Sequence, residues 1–364
     1  MKKSFIFFLS LFFVSVSFCQ QSFIVSGKII NAENGEPLQG ASVFAQNTTL
    51  GTATDAMGNY KLYLPDGGYE LVVTFTGYTT ESKRVSVSND ATKDINFLLK
   101  QKQKEMADVT VVATTEVKDG WLKYGSFFLD NFIGKTTNSK SCSLRNPELL
   151  KFFFSKKRNR LKVIAAEPLI IENKALGYNI KYALDSFTYD YATDVTLYTG
   201  FPLFEEQLPA SEDQKQSWVK ARTEAYSGST LHFMRTLFNR RLKEEDFEIQ
   251  FLVKTNDRES AILLKDMYGA LNFKKDDSLQ TVTILPNQPN VGIIYKTLKP
   301  DKEFIAANPD EPAGFQFSTL SFKPGDPIII EQNGYYYDQN DLAISGYWTW
   351  DKIADLLPYD YEKR

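Results

Sequence analysis

His232 is the single histidine of the chain, and the chemistry open to the sequence turns on it first. An imidazole is the usual base for a serine or cysteine nucleophile, so any such pair must include His232. Phe233 and Arg235 follow closely and Arg222 precedes it on the same helical stretch; nearby guanidinium groups lower an imidazole's proton affinity. No Gly-x-Ser-x-Gly run surrounds a serine, and Cys142 sits in a KSCSL run without a protease-like context. The expectation for His232 is a core or capping residue.

Carboxylates come next. Glu205 and Glu206, or Asp276 and Asp277, are adjacent pairs, whereas glycoside hydrolysis needs two carboxyls facing each other about 5–10 Å apart across a cleft. A carboxylate-based hydrolase is therefore the third of three readings. Glu172, Asn173 and Lys174 fall in a bend between an apolar strand and Tyr178, where they either shape the turn or hold a small ligand. Tyr336, Trp348 and Trp350 belong to aromatic runs at 335–337 and 347–350 that either stack on sugar rings or fill a core. Arg235, Arg240, Arg241 and Lys243 run directly into Glu244, Glu245 and Asp246, which reads as a solvated helix end with Arg235 turned inward. Phosphate loops and EF-type calcium loops are absent, and no cofactor or metal is expected.

The elements that must position these groups are set by 364 residues, 43% hydrophobic and 24% charged, with 42 Lys and Arg against 45 Asp and Glu. This is globular composition, with length for two domains and no charge case for a nucleic-acid partner. Lys2 and Lys3, then an apolar stretch over 5–16 and a border at Ser17 to Cys19, form the pattern of a secretory signal over 1–20. The stretch is shorter than a membrane-spanning helix needs. Cys19 is either removed or acylated, and Phe18 before it departs from the small residue that acylation favours. With Cys19 removed, Cys142 is the one remaining thiol, no intrachain disulfide forms, and stability rests on a core supplied by 28 Phe, 19 Tyr and 4 Trp.

From 23 to 99 the period is close to two, with turn chemistry at NAENGEPLQG, DAMGN, PDGG and SND. Strands are expected at 23–30, 41–45, 51–54, 60–64, 69–76, 81–87 and 93–98, seven in all, as in a β-sandwich. The runs VSGKIINAENGEPLQGASVFA, GTATDAMGNYKLYLP and YELVVTFTGYTT carry Gly27, Gly35, Pro37, Gly40, Asp55, Gly58, Tyr60, Gly77 and Tyr78. On these residues the stretch 22–100 resembles the carboxypeptidase-regulatory-like domain, a transthyretin-like (prealbumin-like) all-β sandwich. The resemblance implies structural roles for these positions and no catalytic residue. A zinc carboxypeptidase needs two histidines and a glutamate; Phe233, Met234 and Arg235 follow His232, so the peptidase half cannot be built.

Residues 101–120 read as a linker, KQKQKEMAD, and a valine-rich strand at 109–113. That order is similar to the amino-terminal extension of TonB-dependent outer-membrane receptors, but the remaining stretch is too short and too helical for their barrel. Residues 121–364 read as an α+β domain. Helices are expected over 121–132 with Gly134 as stop, from Ser211 with a Ser211/Gln214 capping box and a kink at Gly228, and over 350–357. Strands are expected at 161–165, 169–171, 178–184, 195–198, 247–253, 279–285, 291–295, 315–320, 328–331 and 335–337. The runs KYGSFFLDNFIGKT, AAEPLIIENKALGYNIKYALDSF, AYSGSTLHFMRTLFNRRLKEEDFEI and GYWTWDKIADLLPYDYE resemble a family of exported proteins with the same amino-terminal sandwich, which implies location and architecture and no chemistry. The reading is a non-enzymatic exported protein of the periplasm or outer-membrane surface, with a binding or scaffolding role toward an envelope protein. The alternative is a carbohydrate-binding protein of a glycan-utilisation system. Membrane association is compatible with both, without a spanning helix in the mature chain.

Overall fold

A computed structural model of the chain describes residues 22–86, 92–102, 115–255, 258–337 and 342–363. The signal at 1–20 and the strand expected at 109–113 lie outside the described residues. The first strands are β1 (Ser22–Asn31), β2 (Ser42–Ala45), β3 (Gly51–Ala53), β4 (Asn59–Pro65), β5 (Gly68–Thr74), β6 (Glu81–Ser86), β7 (Thr92–Asp94) and β8 (Phe97–Leu99). One sheet runs β4-β1-β7 with β8 also on β1, and the other runs β3-β2-β5-β6. Alternation drives the packing: Tyr60, Leu62 and Leu64 of β4 point inward between exposed neighbours, against Phe23 and Val25 of β1.

The strand expected over 93–98 is present in two pieces, β7 and β8, both parallel to β1. Gly27 explains the break. A Cβ there would lie 1.9 Å from the Ile95 carbonyl oxygen, because the Ile95 N–H donates to Ser26 and draws the backbones together. At the β3–β4 turn Asp55 accepts from the N–H groups of Met57 and Asn59, and chiefly the latter bond holds its carboxyl below the usual value.

A second layer contains β9 (Thr115–Glu116), α1 (Gly120–Phe132), β10 (Cys142–Leu144), β11 (Leu150–Ser155), β12 (Arg160–Ala165), β13 (Leu169–Asn173), β14 (Tyr178–Asp190) and β15 (Val195–Glu206). β14 carries β15 along its length on one edge, and β13 and β12 at the two ends of the other. A bulge between Leu184 and Ser186 shifts the register, so the inward set changes from Tyr178, Ile180, Tyr182 and Leu184 to Phe187. α1 lies across this face, with Phe128 and Phe132 buried against Phe187 and Tyr182.

α2 (Glu212–Tyr226) and α3 (Thr230–Phe238) follow. Ser211 accepts from the Gln214 N–H as expected of an N-cap, while the Gln214 side chain accepts from the Ala210 N–H and not from that of Ser211. Gly228, at φ +84°, does more than kink the helix: it separates two helices, each with its own serine cap, Ser211 and Ser229.

The remaining elements are β16 (Phe247–Thr255), β17 (Arg258–Leu263), α4 (Met267–Ala270), β18 (Lys274–Asp276), β19 (Thr281–Ile284), β20 (Asn290–Tyr295), α5 (Lys302–Ala307), β21 (Gln316–Phe322), β22 (Ile328–Glu331) and β23 (Leu342–Gly346). They form a sheet β17-β16-β20-β21-β23 and a smaller one β18-β19-β22. The expected 335–337 strand reduces to a single bridge from Ile330 to Tyr336. The chain is thus a β-sandwich followed by α+β structure, and the latter divides into two cores, one around Phe128, Phe132 and Phe187 and one around Phe233, Phe247 and Ile330.

The expected 350–357 helix is not formed. A 3-10 turn at Tyr347–Thr349 is followed by irregular chain in which the N–H groups of Ile353 and Ala354 leave the segment and donate to Phe132 and Ile133, while those of Asp355 and Leu356 close only short turns on Lys352 and Ile353.

Candidate functional site

Residues 350–361 act as a strap across all three cores. Toward the second layer, Asn173 is fully buried, with its Nδ2 donating to the Ala354 carbonyl at 2.8 Å and its Oδ1 accepting from the Leu176 N–H. Asp355 accepts from Thr136 at 2.7 Å and from Asn138 at 2.8 Å. Burial nevertheless pushes its carboxyl up to about 6, against those two hydrogen bonds. Toward the sandwich, the Tyr359 N–H donates to Asn47 O at 2.7 Å, Asn47 Nδ2 donates to Leu357 O, and Asp360 takes the N–H and hydroxyl of Thr49. Asn47 also ties the sandwich to β15 through its own N–H on Pro202 O.

Arg235 of α3 completes the junction. Its Nε donates to Asn333 O at 3.0 Å, and its two terminal nitrogens donate to Tyr361 O and Tyr359 O at 2.8 Å each. Asn333 in turn donates to Gly68 O of β5. Arg235 is therefore turned inward as the sequence reading expects, but its partners are carbonyl oxygens. A fork of donors matched to three carbonyls fixes the path of the strap without adding a buried carboxylate.

Between these contacts lies an open cavity of about 560 Å³. Gln46, Asn47 and Glu70 of the sandwich, Tyr182, Asp185, Tyr198 and Phe201 of the second layer, Tyr335, and Asp351, Lys352 and Tyr359 of the strap form its walls. The β14 bulge places Asp185 here, where it accepts from Thr199, and Glu70 accepts from Ser82. Asn47 is only 7% exposed, and its Oδ1 is buried without a hydrogen-bond partner among the described residues. A buried amide oxygen left without a donor is costly, and Asn47 is held in place by its N–H bond to Pro202 O and its Nδ2 bond to Leu357 O. Burial, with Asp355 and Asp301 nearby, holds Asp351 well above the usual carboxylate range, and burial also lowers Lys352.

The residues singled out in the sequence are not brought together. Glu172 pairs with Arg145 and Lys174 and Asn173 holds the strap; Glu172 and Asn173 end β13 and Lys174 opens the turn that follows. Trp348 is buried against Phe233 and its indole N–H donates to Gly228 O, so neither ring face is open to a sugar. Trp350 is half-buried, set edge-on to Phe304 with its N–H on Asp301, and Tyr336 packs beside the third core. The acidic pairs are spent on the fold. Glu205 meets Lys181, Glu206 meets Arg222, and Asp276 closes a turn through the N–H groups of Ser278 and Leu279.

His232 is buried. Its Nδ1 accepts from the Gly228 N–H at 3.1 Å, so its proton sits on Nε2, facing Glu245 at 3.4 Å. Burial lowers its proton affinity to about 4, with Glu245 opposing and Arg235 a lesser contributor; desolvation outweighs the guanidinium effect named from sequence. Cys142 is half-buried and burial pushes its thiol up to about 12, which leaves it a poor nucleophile near neutral pH.

One prediction follows for pH. A group whose affinity is lowered on folding gives stability that is present above its unfolded value, 6.5, and is lost as pH falls toward about 4. Asp355, raised to about 6, gives stability that is present below 3.8 and lost as pH rises through about 6. Because the two oppose each other, a comparison with His232→Gln isolates the first. Urea unfolding at pH 7 and near pH 4 should show wild type losing up to about 3 kcal/mol more than the variant; equal losses would remove the assigned neutral state.

The sandwich just described defines the amino-terminal part as a CarboxypepD_reg-like domain, the family that residues 25–111 match. The chain is 30% identical over 94 residues to TonB-dependent receptor P3 of Formosa agariphila, covering 26% of this chain and 9% of the receptor. It is 33% identical over 106 residues to TonB-dependent receptor SusC of Bacteroides thetaiotaomicron, covering 29% of this chain and 10% of the receptor. The matched part thus spans about a tenth of these relatives' length. Among solved structures, a DUF3823 family protein from Bacteroides ovatus aligns with 52% of this chain and 83% of its own at 11% identity and a TM-score of 0.18. Among the described residues no helix is long and apolar enough to cross a membrane.

Proposed function

We propose that this is a non-catalytic exported protein of the cell envelope whose junction cavity binds an envelope component. The observation that carries the reading is the open cavity of about 560 Å³ where the sandwich, the second layer and the strap meet, with Asp185, Asp351 and Lys352 on its wall. The domain shared with TonB-dependent receptors supports the location. The spent acidic pairs and the poor nucleophilicity of Cys142 support a binding role over hydrolysis. Cross-linking in envelope fractions should recover a partner with wild type and lose it with Asp351→Ala/Lys352→Ala, two cavity-wall residues outside any described ion pair. Recovery of monomer alone, or the same partner with both proteins, counts against the reading.

A carbohydrate is the second reading, favoured by the half-buried rings of Tyr198 and Tyr359 on the cavity wall. Affinity electrophoresis through polysaccharide gels should show retardation that the same double variant abolishes. Unchanged mobility across all gels would rule it out.

A further inference from the structure

The far end of the second layer, away from the cavity, carries the densest run of unpaired positive charge in the described structure. The β11–β12 turn holds Lys156, Lys157 and Arg158, all exposed and without a carboxylate partner among the described residues. The β14–β15 turn lies directly beside it. The Tyr191 N–H donates to Asn159 O at 3.0 Å, and Arg160 pairs with Asp190 at 2.7 Å, so the two tips form one surface.

That surface is also apolar. Tyr191 is 38% exposed, its neighbour across the turn Val195 45%, and Leu197 on the same strand 65%. Tyr191 stacks on Phe127 of α1 at 5.8 Å and meets Phe154 of β11 edge-on at 5.9 Å, so the aromatic group is rigid. The tip's own acids are already engaged: Asp190 by Arg160, and Asp194 by the Tyr189 hydroxyl. The Asp194 carboxylate keeps its charge, so three free cations stand against one free carboxylate and the tip is net positive, on a chain whose formal net charge is -3.

We propose that the joined tips dock on an anionic lipid membrane. Rigid amphipathic rings suit the headgroup level, and flanking cations that can snorkel suit a negatively charged leaflet. Charge complementarity selects this occupant: a protein groove would need an acidic partner shaped to two turns, whereas a flat lipid surface meets two adjacent tips at once.

The test is co-sedimentation of the full chain with vesicles of phosphatidylglycerol in phosphatidylethanolamine, and with neutral phosphatidylcholine vesicles. Binding is expected only to the anionic vesicles, falling steeply as salt shortens the screening length to about 3 Å near 1 M. Lys156→Glu/Lys157→Glu/Arg158→Glu, whose side chains hold nothing in the fold, should weaken it roughly a hundredfold or more with an unchanged thermal melt. Tyr191→Ser should weaken binding while leaving its salt dependence intact. Equal binding to neutral vesicles, indifference to the charge reversal, or capture by a soluble acidic polysaccharide with no vesicle binding would overturn the proposal.

Discussion

Trp348→Ala is expected to lower stability by about 3–5 kcal/mol, the range for deleting a large buried aromatic side chain. Trp348 is 8% exposed and lies against Phe233, 5.4 Å between ring centroids, in the core built on β16, β20 and β21. The same substitution strips the Gly228 carbonyl of its donor, at 2.6 Å, in the hinge between α2 and α3. Urea unfolding would read the loss directly; a change below about 1 kcal/mol would place the ring outside the core. Any ligand-binding defect in this variant would reflect loss of the fold, which is why the binding tests use residues of the cavity wall.

Arg235→Ala should cost about 3–5 kcal/mol, since it removes three charge-assisted bonds and strands the Asn333, Tyr359 and Tyr361 carbonyls at the junction. Arg235→Lys should recover little of it, because one ammonium cannot reproduce the planar fork. A second readout separates this from a simple core defect. Limited proteolysis should cut the strap near 354–361 in Arg235→Ala while the sandwich, which has its own core, stays intact. Protection of the strap equal to wild type would show that Arg235 does not hold it.

The sandwich was legible because its alternation is regular and its turns carry Gly, Asn and Asp where the backbone needs them. Sequence reading falters where local pattern and tertiary pairing diverge. β14 is expected to stop at 184 because the bulge changes which parity faces inward, so alternation ends although the strand continues to Asp190. β11 is missed because Phe152, Phe153 and Phe154 in succession hide the period. Ile353 and Leu357 have helical spacing, but their segment spends its hydrogen bonds on α1 and the sandwich. The cavity is not legible from sequence, since residues 46–47, 182–202 and 351–359 meet only through long-range contacts such as Asn47 with Pro202 and with Leu357. Asn173 reads from sequence as a turn residue with binding potential, whereas its bond to Ala354 depends on a contact 181 positions away.

The reach of the strap has a consequence for how the molecule is assembled. Asn47 and Thr49 are held by Leu357 and Asp360, contacts that span 310 and 311 positions of sequence. The sandwich closes its own core within its first hundred residues, so it can fold early and locally. Its docking onto the second layer can begin only once β15 exists, through Asn47 and Thr48, and is completed when those final contacts form. A chain emerging in order therefore passes through a stage in which Phe44 and Val72, later covered by Leu203 and Phe201, lie bare on a finished domain. The interval between closure of the sandwich and arrival of β15 leaves that apolar pair open to aggregation.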